Sequence, residues 1–397
     1  MSFSPNKNHP TLDSVEGFET LLDEAFQHRL TQHRRALHQC PELGFECVQT
    51  AAYCERVLRP LGYQLTSVAQ TGWLAFKPGK NPQTVVFRAD MDALPITEKT
   101  QAPYASFYLG RMHACGHDAH MAMLLGLAEV LSTISLECSV LLVFEPAEET
   151  LGGAQYIVSD PHYQAHEHLA VYALHLDPTL PFGTLGFGPG IMTAQDADLD
   201  VTIEGLSAHG TTPQEGRNAL LAASQLAINL GSLTHLRGTL EDRLATVGTL
   251  TSGEGRNIIA SNAVLQGTLR AFEEAVFERL KDSVFDQAHT VEKQFDVKIH
   301  TSIQTLHPPV RNDAALTATL HAILPQTMPI APRLIAEDFS YFQQHAPGVL
   351  MMLGTKDEHY PNEQLHRDTF NFTETVLSEG VKTYLRILQY HQSHLKE

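Results

Sequence analysis

Apolar residues recur at helical spacing near the start of the chain, at Leu12, Val15, Phe18, Leu22, Phe26 and Leu30. A second such run extends from Cys47 to Leu61 and stops at Gly62. The period then switches. TVVFRA (84–89), SVLLVFE (139–145) and LAVYALHL (169–176) are continuous apolar stretches of strand length. Between them lie a helix over 119–131, rich in Ala, Leu and Met, and a short one over 152–158. Unbroken apolar strands separated by helices predict a mostly parallel sheet covered on both faces.

Near residue 193 the pattern changes again. DLDVTIE (198–204) alternates in period two, as a strand with one solvated face does. A helix over 219–233, strands over 244–251 and 263–271, a helix over 274–295 and a strand over 297–303 complete a β-α-β-β-α-β order. That is a ferredoxin-like unit. The α/β character then returns with a helix over 313–324, VLMMLG (349–354) and an amphipathic helix over 373–390. The predicted architecture is an α/β catalytic domain, 1–192 and 305–397, interrupted by a small inserted domain, 193–304. A chain of 397 residues exceeds what one core ordinarily serves, in keeping with two domains.

Bulk properties narrow the functional classes. With 43% hydrophobic and 18% charged residues the composition is that of a globular protein, and no apolar run approaches the ~18 residues of a membrane span. A net charge of −18 disfavours nucleic acid and anionic lipid as partners. Five cysteines without a CxxC pair, behind an N-terminus unlike a secretory signal, predict reduced thiols and a cytoplasmic location.

Metal-type side chains gather at the ends of the predicted strands, where open α/β sheets place their sites. RMHACGHDAH (111–120) puts Cys115 and His117 on either side of Gly116, just before a helix. Strand 139–145 runs into Glu148 and Glu149, strand 169–176 ends with His175, and strand 84–89 leads to Asp90 and Asp92. His366 precedes the last helix. Each alone has a plainer explanation: a buried thiol, a solvated glutamate pair, an aspartate capping the turn before Pro95. Their coincidence at successive strand ends is what points to metal. Thiolate, imidazole and carboxylate together suit zinc, manganese or cobalt.

RRALHQCPELGFE, VVFRADMDALPI, GRMHACGHDAHMAMLLG, VFEPAEE, ALHLDP, GLSAHGTTPQEGRNAL, AEDFSYF and LHRDTF together resemble the metallopeptidase-like amidohydrolases. That family holds aminoacylases, hippurate hydrolases, auxin-conjugate hydrolases and N-acetyldiaminopimelate deacetylases, and the resemblance runs from about residue 34 to 390. It implies two divalent metal ions (zinc or manganese, with cobalt or nickel as alternatives) held by a bridging Cys115 with His117, Glu149, His175 and His366. It implies Glu148 as general base and Asp92 as the group that positions a ligand. The inserted domain would mediate a homodimer, or dimers paired as a tetramer. His209 would reach the partner subunit's site, and Asn257 and Arg270 would hold the substrate carboxylate. Three departures stand out: Glu145 where the family usually has Gln, Ala260 where it usually has Pro, and HGTTPQ after the histidine motif. They are expected to touch substrate pocket and lid.

The implied reaction is hydrolysis of the amide of a small N-acyl amino acid, with an acyl diaminopimelate as the rival substrate. A bound divalent cation lowers the pKa of water from about 15.7 toward ~7. A free glutamate beside it can move the proton, worth roughly 10²–10⁴-fold. Two other classes compete. A cysteine nucleophile, Cys115 with His117 or His113, has no use for Glu148, Glu149 and His366. A non-catalytic binding protein should have lost its base or a ligand, and here all are present.

Overall fold

The computed structural model describes residues 21–150 and 152–395. The predicted helical positions Leu12, Val15 and Phe18 lie outside the described residues. Along the chain run helices α1 (Glu24–His38) and α2 (Val48–Leu58), strands β1 (Gln64–Val68), β2 (Gly72–Lys77) and β3 (Asn81–Asp90), helix α3 (His117–Ser132), strand β4 (Cys138–Glu145), helix α4 (Gly153–Val158) and strand β5 (Glu167–Pro181). Next come β6 (Gln195–Glu204), α5 (Ala219–Gly231), β7 (Arg243–Ser252), β8 (Asn262–Ala271), α6 (Glu274–Phe295) and β9 (Lys298–Thr305). Helix α7 (Ala314–Ile323), strand β10 (Gly348–Lys356) and helix α8 (Val376–His394) follow. The chain divides into two compact units. Unit 2 comprises Ile191–Val310 and Pro332–Ser340, and unit 1 the rest.

In unit 1 the sheet order is β1-β2-β4-β3-β5-β10, extended by the two-residue strands Leu185–Gly186 and Thr327–Met328. The pairs β3–β4, β3–β5 and β5–β10 are parallel. The β1–β2 hairpin, which carries no strong apolar run, adds an antiparallel edge. Strand β4 is buried along its whole length, as its unbroken apolar sequence requires. Helix α1 starts where the Asp23 side chain accepts from Phe26 N at 2.8 Å, an N-cap. It buries Phe26, Leu30, Arg34 and Leu37 at helical spacing. Helix α2 passes into a 3₁₀ turn and ends at Gly62, which takes φ 82°.

Unit 2 is an all-antiparallel sheet, β9-β6-β8-β7, under α5 and α6. On β6, Leu199, Val201 and Ile203 enter the core while Asp198, Asp200, Thr202 and Glu204 face out, the predicted alternation. Helix α6 buries Val276, Phe277, Leu280, Val284, Ala288 and Val291 against them. The segment Pro332–Ser340 belongs here because its backbone is bonded here: Arg333 N to Met192 O at 2.9 Å, and Ala194 N to Ile335 O at 2.9 Å.

Beyond β4 the chain must turn sharply before α4. Gly152 N and Gly153 N both donate to Ala147 O, at 3.0 and 3.3 Å. A Cβ on Gly153 would lie 1.7 Å from Pro146 O. Gly153→Ala should therefore displace the 146–149 turn at a cost of about 1–3 kcal/mol. The measurements are the melting temperature and the turnover of the variant, and an unchanged melting temperature would contradict this account.

Candidate metal centre

The C-terminal ends of β3 and β4, the stretch of β5 just past its pairing with β3, the N-terminus of α3 and the loop bearing His366 bring the candidate ligands together. Gly116 makes the first approach possible. It takes φ 90°, and a side chain there would press on Leu176 Cδ1 at 3.0 Å. Cys115 Sγ lies 3.5 Å from His175 Nε2 and 3.3 Å from His366 Nε2. Glu149 Oε1 lies 3.4 Å from His366 Nε2 and 3.8 Å from His117 Nε2. Ligand atoms of Cys115, His117 and His175 fall within 4.8 Å of one another, as do those of Cys115, Glu149 and His366 and those of His117, Glu148 and Glu149. Cys115 is common to two of these sets and His117 to two. All five expected ligands, with Glu148 and Asp92, thus converge within unit 1.

Asp92 holds the turn that presents the two glutamates. Its Oδ1 accepts from Glu148 N and its Oδ2 from Glu149 N, both at 3.1 Å. Ala147, just before them, takes φ 65° and His366 takes φ 62°, costly positions for side-chain-bearing residues, which cluster at functional sites. His366 is tied in place by its backbone N–H to Ala114 O at 2.8 Å, though its ring is half exposed.

The electrostatics call for cations. Burial pushes the Cys115 thiol up, and Glu149, Glu148 and Asp90 push it further, so alone it stays protonated. Burial, helped by His120, lowers His175 to about 3. Burial opposes charge on His117 too, yet Asp90, Asp92 and Glu149 raise it to about 10. Neither ring nitrogen of His117 nor Glu149 Oε1 makes a hydrogen bond, although all three are buried. Such atoms each cost about 1–3 kcal/mol unless something satisfies them. A divalent cation does so, and a thiol that coordinates one is deprotonated outright. The donor set fits the expected metals.

A buried ionic network anchors the base of α3. Fully buried Arg34 donates to Asp118 Oδ2, Tyr104 OH, Glu374 Oε1 and Asn371 Oδ1, each at 3.0 Å. His38 adds Asp118 at 2.8 Å and Glu98 at 3.2 Å. Burial would raise the Asp118 carboxyl, but Arg34 and His38 hold it well below the carboxylate range. Arg34, His38 and Asp118 fall within the motifs used in reading the sequence, where nothing marked the first two as partners of a helix 80 or more positions away.

The other expected site residues lie in unit 2. His209 is exposed, with Nδ1 2.7 Å from Thr211 Oγ1, and pairs across a β-bridge with Ile258. Gly210 N donates to Asn257 O at 2.8 Å, so His209 and Asn257 share one end of the sheet. Arg270 is at the far end of β8, donating to Leu334 O at 3.1 Å. Asn262 to Arg270 alone spans about 26 Å at ~3.3 Å per residue. Within one chain the structure does not bring Asn257 and Arg270 onto one carboxylate. One of the three departures is also not where it was expected. Glu145 is fully buried, with Oε2 2.6 Å from Arg88 Nε.

An α/β sheet ending in a cluster of thiol, imidazole and carboxylate donors, with a separate antiparallel α/β unit, defines a metal-dependent hydrolase. The chain belongs to Peptidase family M20/M25/M40, whose profile matches residues 86–390. It is 35% identical to an N-acetyl-L-cysteine deacetylase of Bacillus subtilis (strain 168), over 87% of this chain and 83% of the relative. It is 33% identical to an N-acetyldiaminopimelate deacetylase of Oceanobacillus iheyensis, over 91% and 98%. Among solved structures, a Bacillus subtilis dinuclear metal-binding peptidase of the M20 family superposes with a TM-score of 0.80 at 26% identity, covering 94% and 99% of the two chains. With that relative, the donor set supports two divalent cations here.

Cys115 is the expected bridge between the two ions. Cys115→Ala should lower the metal content below the two ions per chain expected of the parent, measured by elemental analysis. A variant retaining both ions would refute the bridge.

Proposed function

We propose that the protein removes the acyl group from small N-acyl amino acids, with Cys115, His117, Glu149, His175 and His366 holding the two cations. The observation that carries this reading is the convergence of these five side chains beside the Glu148 carboxylate, which clusters with His117 and Glu149. The cations, when bound, supply Lewis acidity to the scissile amide. Glu148 stands between the Asp92-anchored backbone and His117, on the turn that also presents Glu149. It takes a proton from the attacking water and delivers it to the departing amine nitrogen. The C–N bond breaks, the water oxygen joins the acyl carbon, and a carboxylate and an amine leave. Asp92 accepts both backbone N–H groups and so fixes the distance between base and ligand. A broad aminoacylase is the main reading, and deacylation of N-acetyldiaminopimelate the second, favoured by the relatives bearing that name. The thiol-nucleophile alternative has Cys115 held protonated and surrounded by carboxylates, the opposite of an activated thiolate.

The separation of Asn257 from Arg270 supports a homodimer, in which His209 and Asn257 of one chain complete the partner's site. Strand β7 is an edge strand, and with its neighbour α5 it presents exposed apolar side chains, Ile228, Leu221 and Leu250. The five cysteines are all free, and among the described residues no helix is long and apolar enough to cross a membrane. Both accord with a cytoplasmic location.

Glu148→Gln should keep its metal and lose roughly 10²–10⁴-fold in kcat on N-acetyl amino acids. Steady-state kinetics over an N-acyl amino acid panel tests this, and a near-normal kcat would remove Glu148 as base. His209→Ala should also be impaired. Mixing it with Glu148→Gln and allowing subunits to exchange should restore part of the activity, since one site per heterodimer would then hold both intact groups. No recovery would argue against a contribution across subunits.

A further inference from the structure

Beneath the candidate ligands, fully buried polar groups form one continuous hydrogen-bonded chain. Glu145, at the end of β4, accepts from Arg88 Nε at 2.6 Å. Arg88 Nη1 donates to Asp90 Oδ2 at 2.8 Å. Asp90 Oδ1 lies 2.6 Å from His120 Nδ1. His120 Nε2 lies 3.0 Å from Leu176 N, and Leu176 O lies 2.8 Å from His175 Nδ1. The side chains of Arg88, Asp90, His120 and Glu145 are each 2% exposed or less.

The donors and acceptors leave one consistent assignment. A backbone N–H can only donate, so His120 Nε2 must carry a lone pair. Its proton is then on Nδ1, aimed at Asp90. Leu176 O can only accept, so His175 carries its proton on Nδ1. That leaves the Nε2 lone pair facing Cys115 Sγ, 3.5 Å away. Asp90, His117 and His120 also cluster closely enough to suggest a further cation site. Both nitrogens of His120 are already committed, so it is not a ligand.

We propose that Asp90 and His120 are positioning residues of the metal centre: the chain from Glu145 through Arg88, Asp90 and His120 pins the Leu176 backbone, whose carbonyl sets which nitrogen His175 offers and holds the ring there. The inference rests on the metal reading of Cys115 and His175, not on the identity of the substrate. Partners of this kind, in contact with a ligand's far side, typically change metal affinity by roughly 10–100-fold when removed.

Asp90→Asn is a sharp test because of its geometry. A carboxamide has one acceptor oxygen, and Asp90 serves two donors, Arg88 Nη1 and His120 Nδ1–H. Either orientation of the amide breaks the chain. His120→Leu breaks it independently, with an apolar residue like its helix neighbours Met121 and Ala122, and leaves Asp90 and Arg88 paired. The measurement is zinc affinity by competition with a chromophoric chelator, beside the melting temperature of the metal-free protein and the visible spectrum of the cobalt-loaded protein. The expected result is zinc affinity reduced roughly 10–100-fold in each soluble variant, an altered cobalt spectrum, a reduced kcat, and a KM near that of the parent. Parent-like zinc affinity and cobalt spectrum in either soluble variant would overturn the proposal, whatever happens to melting temperature. A parent that binds two zinc ions but cleaves no N-acyl amino acid would overturn the substrate reading alone. The chain is then judged by the affinities.

Discussion

Negative charge buried around His117 is the constraint on which unit 1 turns. Asp92, Asp90 and Glu149 approach one imidazole within 4 Å, and Cys115 sits beside them. Without cations the cluster leaves buried atoms of His117 and Glu149 unbonded and keeps the thiol protonated. With them, each donor has a partner. The sheet makes the crowding possible, because β3, β4 and β5 are parallel neighbours whose C-terminal ends open on the same side.

Holding such a cluster together requires charge compensation beneath it. Two fully buried arginines supply it, Arg34 to the base of α3 and Arg88 to the ends of β3 and β4. Buried ion pairs contribute little net stability compared with apolar packing, yet removing one partner is expensive, about 3–5 kcal/mol. They therefore act as locks on geometry. Arg34 fixes Asp118 next to His117, and Arg88 fixes Asp90 beneath the same ring. Both faces of α3's first turn are thus set before any ligand binds.

The two units divide the labour. Unit 1 holds the metal-type donors with Glu148, and unit 2 carries an exposed imidazole and an amide at one end of its sheet and a guanidinium at the other, the groups proposed to meet the substrate. That spacing is awkward for a single chain, and the proposed homodimer would give the edge strand β7 and its exposed apolar neighbours a partner.

Much of this was legible from residue order. The periods of 2 and 3.6 marked the strands and helices to within a few residues, since burial on one face or both leaves a direct imprint on which positions are apolar. The motif around Cys115, the Glu148–Glu149 pair, His175 and His366 carried the centre, because strand ends are where such residues have no structural reason to gather. The β1–β2 hairpin escaped notice, being short and half-exposed. Glu145 looked like a pocket residue, and only its register opposite Asp90 on parallel strands shows it bonded to Arg88. Asp90 read as one of the strand-end carboxylates and His120 as part of the histidine motif, and neither showed its partner for the same reason. Hydrogen bonds between positions 30 to 340 residues apart depend on three-dimensional register, so the chain beneath His175 and the role of Arg34, like the distance from Asn257 to Arg270, were decided by the tertiary structure alone.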